Sequence, residues 1–476
     1  MSLLFKVWIN KKVDEKSGDR EYIVFNLFNK NKESNIKVDV ENLWRRFGEE
    51  STNDISEDLL IIAMSVFAVD KRISRNLFKD NWTREVVLDI PVLELEKWNI
   101  VKQELEAVLS FLSGDRWKFN FRKTELKFRA DKKNTKYRMM NKKNFNSVSL
   151  FSGGLDSFCG ALNLLEKNKQ TCFIGFREYN LLTNRQNELF SALNFAYPAV
   201  NKELLLFNAS PLAPVDISGN KMKIKGESTS RSRSFLFLAG AVVVASIIGE
   251  ETPIYIPENG FIGINVPLTD SRNGSCSTRT THPRFLKSLN SILRKIGLNH
   301  SIENFYWNKT KGEIVEEHKE NEVFKGYAHK TLSCSHPCLC RYDKIKPPCN
   351  CGYCYPCLIR RASMIKAGDD ETVYNEKHML NRAFIDAYNK PQGKASDLKA
   401  VLFSIKRYLK HQEDSKFIRN LLLRPGNLTM EELVEYERVY RESMKELLSM
   451  IEKIDKENGS NLLGYIGIEE KIGCQN

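Results

Sequence analysis

The chain has 476 residues, enough at about 150 per domain for roughly three folded units with ample apolar material to bury. Apolar residues at 42% and charged residues at 28% exclude wholesale disorder, collagen-like repeats and coiled-coil rods. Lys and Arg exceed Asp and Glu by 73 to 60, a formal +13, which favours polyanionic company: nucleotides, nucleic acid or acidic protein surfaces.

At the N-terminus Leu3, Leu4 and Phe5 meet Lys6 at once, leaving no stretch long enough for a secretory signal. The longest apolar run, residues 235–248, is too short for a comfortable membrane span and reads as a buried helix. A cytoplasmic protein with no membrane segment is expected. Residues 1–145 alternate β-like and helical patterns, with strands expected at 6–10 and 22–27 and a helix at 101–112, an N-terminal α/β or α+β domain suited to partner recruitment. Trp117, Phe119 and Phe121 occupy every second position and Leu126 and Phe128 repeat the alternation, so this segment is expected to be a hairpin with one buried face. Residues 116–143 carry twelve Lys or Arg against Glu125 and Asp131. Such a run fits a nucleic-acid patch with interleaved aromatics, but the alternation favours a half-buried sheet with a solvated cationic face.

From Ser147 the pattern becomes repeated strand and helix: strands at 148–151, 171–176, 204–207 and 253–256, helices to about 166 and 197, and the helix at 235–248. Alternation of this kind implies a doubly wound parallel sheet, placed at residues 146–368. Residues 369–476 are expected to be helical, with Leu433, Tyr436, Tyr440, Met444, Leu447 and Ile451 spaced by three and four behind a Thr429, Glu432 capping box.

The most informative residues are Ser152, Gly153, Gly154, Leu155, Asp156 and Ser157, directly after an apolar strand and directly before an amphipathic helix. A strand-to-helix turn aims successive backbone N–H groups at one spot, the helix dipole adds positive potential, and two glycines let a phosphate approach. Ser152 and Ser157 add hydroxyl donors. Asp156 would repel a phosphate, so it points to work with a bound Mg²⁺ or to orienting the loop. No G-x-x-x-x-G-K-[ST] occurs, which removes the usual machinery for cleaving the β-γ bond.

Eleven cysteines are present, seven of them between Cys334 and Cys357. Cys351, Cys354 and Cys357 form C-x₂-C-x₂-C, and Cys334 lies 17 residues upstream of Cys351. Four thiolates can close a tetrahedral Zn²⁺ site, although Cys338, Cys340 and Cys349 leave the ligand set open and an iron-sulfur cluster is a competing use.

S-G-G-L-D-S, the later Cys334 and C-G-Y-C-Y-P-C-L-I-R-R together resemble the 7-cyano-7-deazaguanine synthase (QueC) family of PP-loop ATP pyrophosphatases, over about residues 147–365. The stretch from Arg233 to Leu238 is similar to that family's Arg-Asn-x-x-Phe-Leu segment, with Ser234 where the family has Asn. The resemblance implies that Ser152, Gly153, Gly154, Asp156 and Ser157 bind ATP phosphates and that Cys334, Cys351, Cys354 and Cys357 hold zinc. It also implies adenylation of a 7-carboxy-7-deazaguanine carboxylate, displacement of AMP by ammonia to give an amide and, with a second ATP, dehydration to a nitrile. Arg231 and Arg233 are candidates for pairing with phosphate or carboxylate. Residues 265–285 depart from the family's substrate segment, and their Arg272, Arg279, His282 and Arg284 suit an anionic ligand. Free-standing synthases are shorter. The long layout looks like the QueC-like proteins of anti-phage defence operons, the Qat type and one class of cyclic-oligonucleotide signalling operons, so an operon-encoded protein partner or amine acceptor is expected. Competing readings are a PP-loop enzyme modifying tRNA and a non-catalytic, nucleotide-binding zinc subunit.

Overall fold

The computed structural model describes residues 4–12, 21–27, 34–48, 51–131, 139–227, 229–269, 279–368, 370–375, 379–390 and 393–468. From the N-terminus the chain lays down β1 (Leu4–Asn10), β2 (Tyr22–Asn26), a short β3 (Ile36–Val38), helix α1 (Asp54–Arg72), β4 (Glu85–Val92), helix α2 (Leu95–Ser113) and β5 (Arg116–Lys123). Four of these strands form a parallel sheet in the order β2-β1-β4-β5. The N-terminal third is thus α/β.

Helix α1 begins where Asn53 accepts a hydrogen bond from the Ser56 N–H at 2.8 Å. It is buried along nearly its whole length, polar residues included, because it packs against both β4 and a later helix. Its buried carboxylates therefore need partners. Asp58 accepts from the Leu93 and Glu94 N–H groups, each at 2.8 Å, and closes the turn between β4 and α2.

The aromatic alternation at 117–121 lies on β5, a single edge strand parallel to β4, and the expected hairpin does not form. The reason lies far along the chain. Glu57 on α1 accepts the backbone N–H groups of Phe128 (2.8 Å) and Arg129 (3.2 Å), so the donors a return strand would need are already taken, and the chain closes in a short 3₁₀ turn. Trp117 and Phe119 are buried in the core. The cations on the outer face meet acids: Arg116 pairs with Glu85 at 2.6 Å, Lys118 with Glu106 at 3.1 Å, and Arg122 with Asp89. Lys132, Lys133, Lys136 and Arg138 of the basic run lie outside the described residues.

The chain continues through β6 (Ser147–Leu150), α3 (Leu155–Glu166), β7 (Thr171–Phe176), α4 (Asn180–Ala196), β8 (Lys202–Phe207), β9 (Ala209–Pro211), α5 (Arg233–Ile248), β10 (Ile254–Tyr255), α6 (Gly260–Ile264), α7 (Pro283–Lys295) and β11 (Ile302–Glu303). Five strands make a second parallel sheet, β11-β10-β6-β7-β8, while β9 pairs antiparallel with β3. On β7, Cys172, Ile174 and Phe176 enter the core that holds α5 and α7, whereas Phe173 enters the core of α3 and α4, so helices cover both faces. The strand order reverses at β6, and a ligand crevice is expected beyond the carboxyl end of such a strand. One continuous core contains Val7 and Leu88 of the first sheet, Val148 and Ile174 of the second, and α1 and α5 between them.

The remaining elements are helical: α8 (Lys311–His318), α9 (Glu322–Tyr327), α10 (Tyr355–Ala367), α11 (Arg382–Ala387), α12 (Ser396–His411), α13 (Ser415–Leu423), α14 (Met430–Asn458) and α15 (Leu462–Tyr465). Both halves of the expected capping box are formed, with the Glu432 N–H donating to Thr429 Oγ1 (3.2 Å) and the Thr429 N–H donating to Glu432 Oε2 (2.8 Å). Tyr436, Tyr440, Met444, Leu447 and Ile451 face a separate C-terminal core. Among the described residues no helix is long and apolar enough to cross a membrane.

Candidate functional site

Beyond β6 the chain turns through Ser152 and Gly153 into α3, with Gly154 as its N-cap. Gly153 sits at φ +84°, a left-handed conformation that disfavours a Cβ. The first-turn N–H groups of a helix lack intrahelical acceptors, and a glycine cap has no side chain to satisfy them. The hydroxyls are fixed across this turn: Ser152 Oγ lies 3.1 Å from Ser157 Oγ, the Gly154 N–H donates to Ser152 Oγ at 3.3 Å, and Ser157 donates to the Gly154 carbonyl at 3.0 Å. Two outside groups hold the backbone. Buried Gln186 donates to the Phe151 (3.2 Å) and Ser152 (3.3 Å) carbonyls, and the Leu332 N–H donates to the Gly153 carbonyl at 2.9 Å.

The turn opens on a cavity of about 460 Å³ lined by Ser152, Gly154, Leu155, Asp156 and Ser157, and from elsewhere by Arg233, Glu258, Lys311 and Cys334. Gly153 supports the turn from behind, its missing Cβ directed at Gln186 Cγ. Buried Asp156 accepts from Asn259 Nδ2 at 2.9 Å and lies 3.2 Å from the buried Lys311 ammonium. Burial pushes the Asp156 carboxyl up, but Lys311 and the hydrogen bonds from Glu258 and Asn259 outweigh it, and its pKa falls below the ordinary value. Glu258 moves the other way: burial and the adjacent Asp156 charge raise it well above the usual carboxylate range. The Glu258 backbone is fixed by Asn304, which accepts from its N–H at 3.2 Å and donates to its carbonyl at 2.7 Å.

Arg233 opens α5 and pairs with Glu178 at the cavity wall. Arg231 does not reach the cavity. Its guanidinium lies 4.2 Å from the Trp82 ring centre and donates to the Ser113 carbonyl at 2.9 Å, while burial and Arg75 lower its pKa to about 10. Arg279, His282 and Arg284 also turn away, gathering around Phe111 of α2. His282 caps α7, accepting from the Arg284 N–H at 3.2 Å. Arg272 lies outside the described residues.

Cys334, Cys351, Cys354 and Cys357 converge so that their sulfurs all lie within 4.8 Å of one another. The Cys351–Cys357 and Cys334–Cys354 separations are each 3.9 Å. A Zn–S bond of about 2.3 Å gives a tetrahedron with edges of about 3.8 Å, so the four sulfurs could hold a metal such as zinc. Backbone N–H groups of His336 (3.2 Å) and Cys351 (3.3 Å) point at Cys334 Sγ, and that of Cys354 at Cys351 Sγ (3.3 Å), stabilising thiolates. Of the spare thiols, Cys340 and Cys349 instead donate to backbone carbonyls, those of Pro337 and Asn350. Four protein ligands would leave no open position on the ion, a structural arrangement. The segment leading to Cys334 is the one that clamps Gly153.

No protein-family model matches the chain, and no curated protein matches it. The sequence motifs alone did not expose Glu258, Asn259, Lys311 or Gln186. Signals existed for two of them: Glu258 follows the short strand β10 at the carboxyl end of a parallel sheet, and Lys311 follows Thr310 in a capping box with Glu313.

Proposed function

We propose that the protein is a PP-loop, AMP-forming ligase of the 7-cyano-7-deazaguanine synthase type, adenylating a deazaguanine carboxylate and passing the acyl group to an amine. The observation that carries this reading is the turn at residues 152–157, whose unsatisfied N–H groups and two serine hydroxyls face a nucleotide-sized cavity beside a four-cysteine site. The turn would receive the β- and γ-phosphates, with Lys311 and Arg233 supplying positive charge. Asp156 and Glu258 are the carboxyls that would hold Mg²⁺, whose chemistry there is neutralisation of the departing pyrophosphate.

The substrate carboxylate oxygen attacks the α-phosphorus, the bond to pyrophosphate breaks, and an acyl adenylate results. An amine nitrogen then bonds to the acyl carbon, AMP leaves with the C–O electron pair, and the amine loses a proton. Glu258, raised well above the usual carboxylate range by burial and the Asp156 charge, favours its protonated form and is not the acceptor, so that proton leaves to solvent. His282, buried at a helix cap, is not available for the task. The acceptor amine is ammonia or an amine of an operon-encoded protein, in keeping with anti-phage defence.

Incubation with ATP, Mg²⁺ and 7-carboxy-7-deazaguanine, with ammonia or candidate partner proteins, tests the reading. Carboxylate-dependent release of AMP and pyrophosphate is expected, with an amide, nitrile or protein adduct by mass spectrometry. Release of ADP alone would overturn it.

A further inference from the structure

Lys311 reaches the phosphate turn from the first position of α8, and that position is set by the C-terminal helix α14. Glu446 of α14, buried, grips the residues on either side of Lys311. Its Oε1 accepts from Thr310 Oγ1 at 2.5 Å, and its Oε2 accepts from the Gly312 N–H at 3.3 Å. Residue 312 must be glycine for this approach, since a Cβ there would lie 2.4 Å from Glu446 Oε1. A third partner, Lys366, pairs with Glu446 at 3.1 Å from α10, the helix whose first turn holds Cys357. Two turns earlier on α14, Arg438 pairs with Glu313 at 2.6 Å, the acidic member of the α8 capping box. The start of α8 is therefore held from outside at Thr310 and Gly312 and again at Glu313.

We propose that Glu446 is a positioning residue for nucleotide binding, acting through Lys311, and that α14 belongs to the nucleotide site although it contributes no atom to the cavity lining. The inference rests on the reading of the cavity as an ATP site. Lys311 has only its Nζ at the turn, on a long flexible stem, so the charge is delivered at one place only if the helix that launches it is fixed. A carboxylate that accepts from both flanking residues does this directly.

The test is titration of MgATP against the full-length wild type and the variants K311A, E446A, E446Q and K311A/E446A, with metal content and thermal midpoint as checks of the fold. K311A is expected to weaken ATP binding roughly tenfold, the loss of one charge-assisted hydrogen bond. E446A is expected to weaken it to a similar extent, and the double variant no further than K311A, because a residue acting through Lys311 has nothing left to position once Lys311 is gone. E446Q keeps an oxygen for Thr310 and should fall between wild type and E446A. Wild-type affinity in E446A, or losses that multiply in the double variant, would overturn the inference. Should E446A fail to fold, E446Q with wild-type affinity would do so. A wild type that binds no ATP would remove the site assignment itself, a result distinct from any difference among the variants.

Discussion

Asp70, near the end of α1, offers the sharpest test of how the fold supports the site. It is fully buried and accepts on both oxygens: Oδ2 from Ser230 Oγ (3.0 Å), the Arg231 N–H (2.6 Å), the Ser232 N–H (2.7 Å) and Ser232 Oγ (2.8 Å), Oδ1 from Arg84 (2.6 Å) and Arg75 (3.3 Å). It thereby ties the N-terminal sheet to the residues that launch α5 and Arg233. In D70N the amide NH₂ must face either the backbone donors of Arg231 and Ser232 or the Arg84 guanidinium, donor against donor. Arg84 keeps Asp115 through a 3.1 Å bond, which places the cost near the lower end for a broken buried pair, about 3 kcal/mol. With a urea slope of about 3 kcal/mol per M, the unfolding midpoint should drop by about 1 M, and MgATP should bind more weakly as Arg233 loosens. The effect has a pH signature. Burial raises the Asp70 carboxyl but Arg84 and Arg75 overcome it, so its folded pKa lies below the ordinary 3.8. A depressed carboxylate contributes stability above its unfolded value and loses it as pH falls through the folded one, so the gap between wild type and D70N should be full at pH 6 and shrink below about pH 4. A midpoint within about 0.2 M of wild type at pH 6 would refute the reasoning.

Elemental analysis should find one zinc per chain, and C357S should lose it and bind MgATP more weakly through release of the Leu332 clamp; C357S with stoichiometric zinc would contradict the four-cysteine assignment. G153A places a Cβ at φ +84° and 3.1 Å from Gln186 Cγ, and a left-handed non-glycine residue costs about 1–2 kcal/mol, so its urea midpoint should fall by roughly 0.5 M. An unchanged midpoint would count against the conformation described. Burial and Arg279 lower the His282 pKa from 6.5 to about 3, so across that window the unfolded chain binds a proton that the folded chain does not, and stability should decline as pH falls from about 6.5 toward 3. H282N should flatten that decline; an equally steep one would place the titration elsewhere.

Local signals carried the strand, turn and helix at residues 147–166, because these are contiguous and each reports the next. Spacing alone left a choice among seven thiols, but the family resemblance pointed to Cys334, Cys351, Cys354 and Cys357, and these are the four whose sulfurs converge. Helix α1 gave no clear signal: buried all round, it lacks the polar stripe that marks an amphipathic helix, and its Glu57, Asp58 and Asp70 look solvent-facing until their partners from distant segments are seen. The hairpin expectation failed for the same reason, since Glu57, some 70 residues away, claims the donors at 128–129. Asp156, Glu258, Lys311 and Glu446 come from four separate segments, three helices and the loop after β10, and no spacing along the chain connects them.

The packing of α1 against α5 also bears on how the chain can be divided. Helix α5 has almost no polar face of its own, and α1 covers part of it. A fragment starting at residue 146 would bare that apolar surface to water, inviting aggregation. Any replacement of the N-terminal third would have to bring a cover for α5, and an antagonist that prised α1 away would disturb the start of α5, and with it Arg233 at the cavity wall, without entering the cavity.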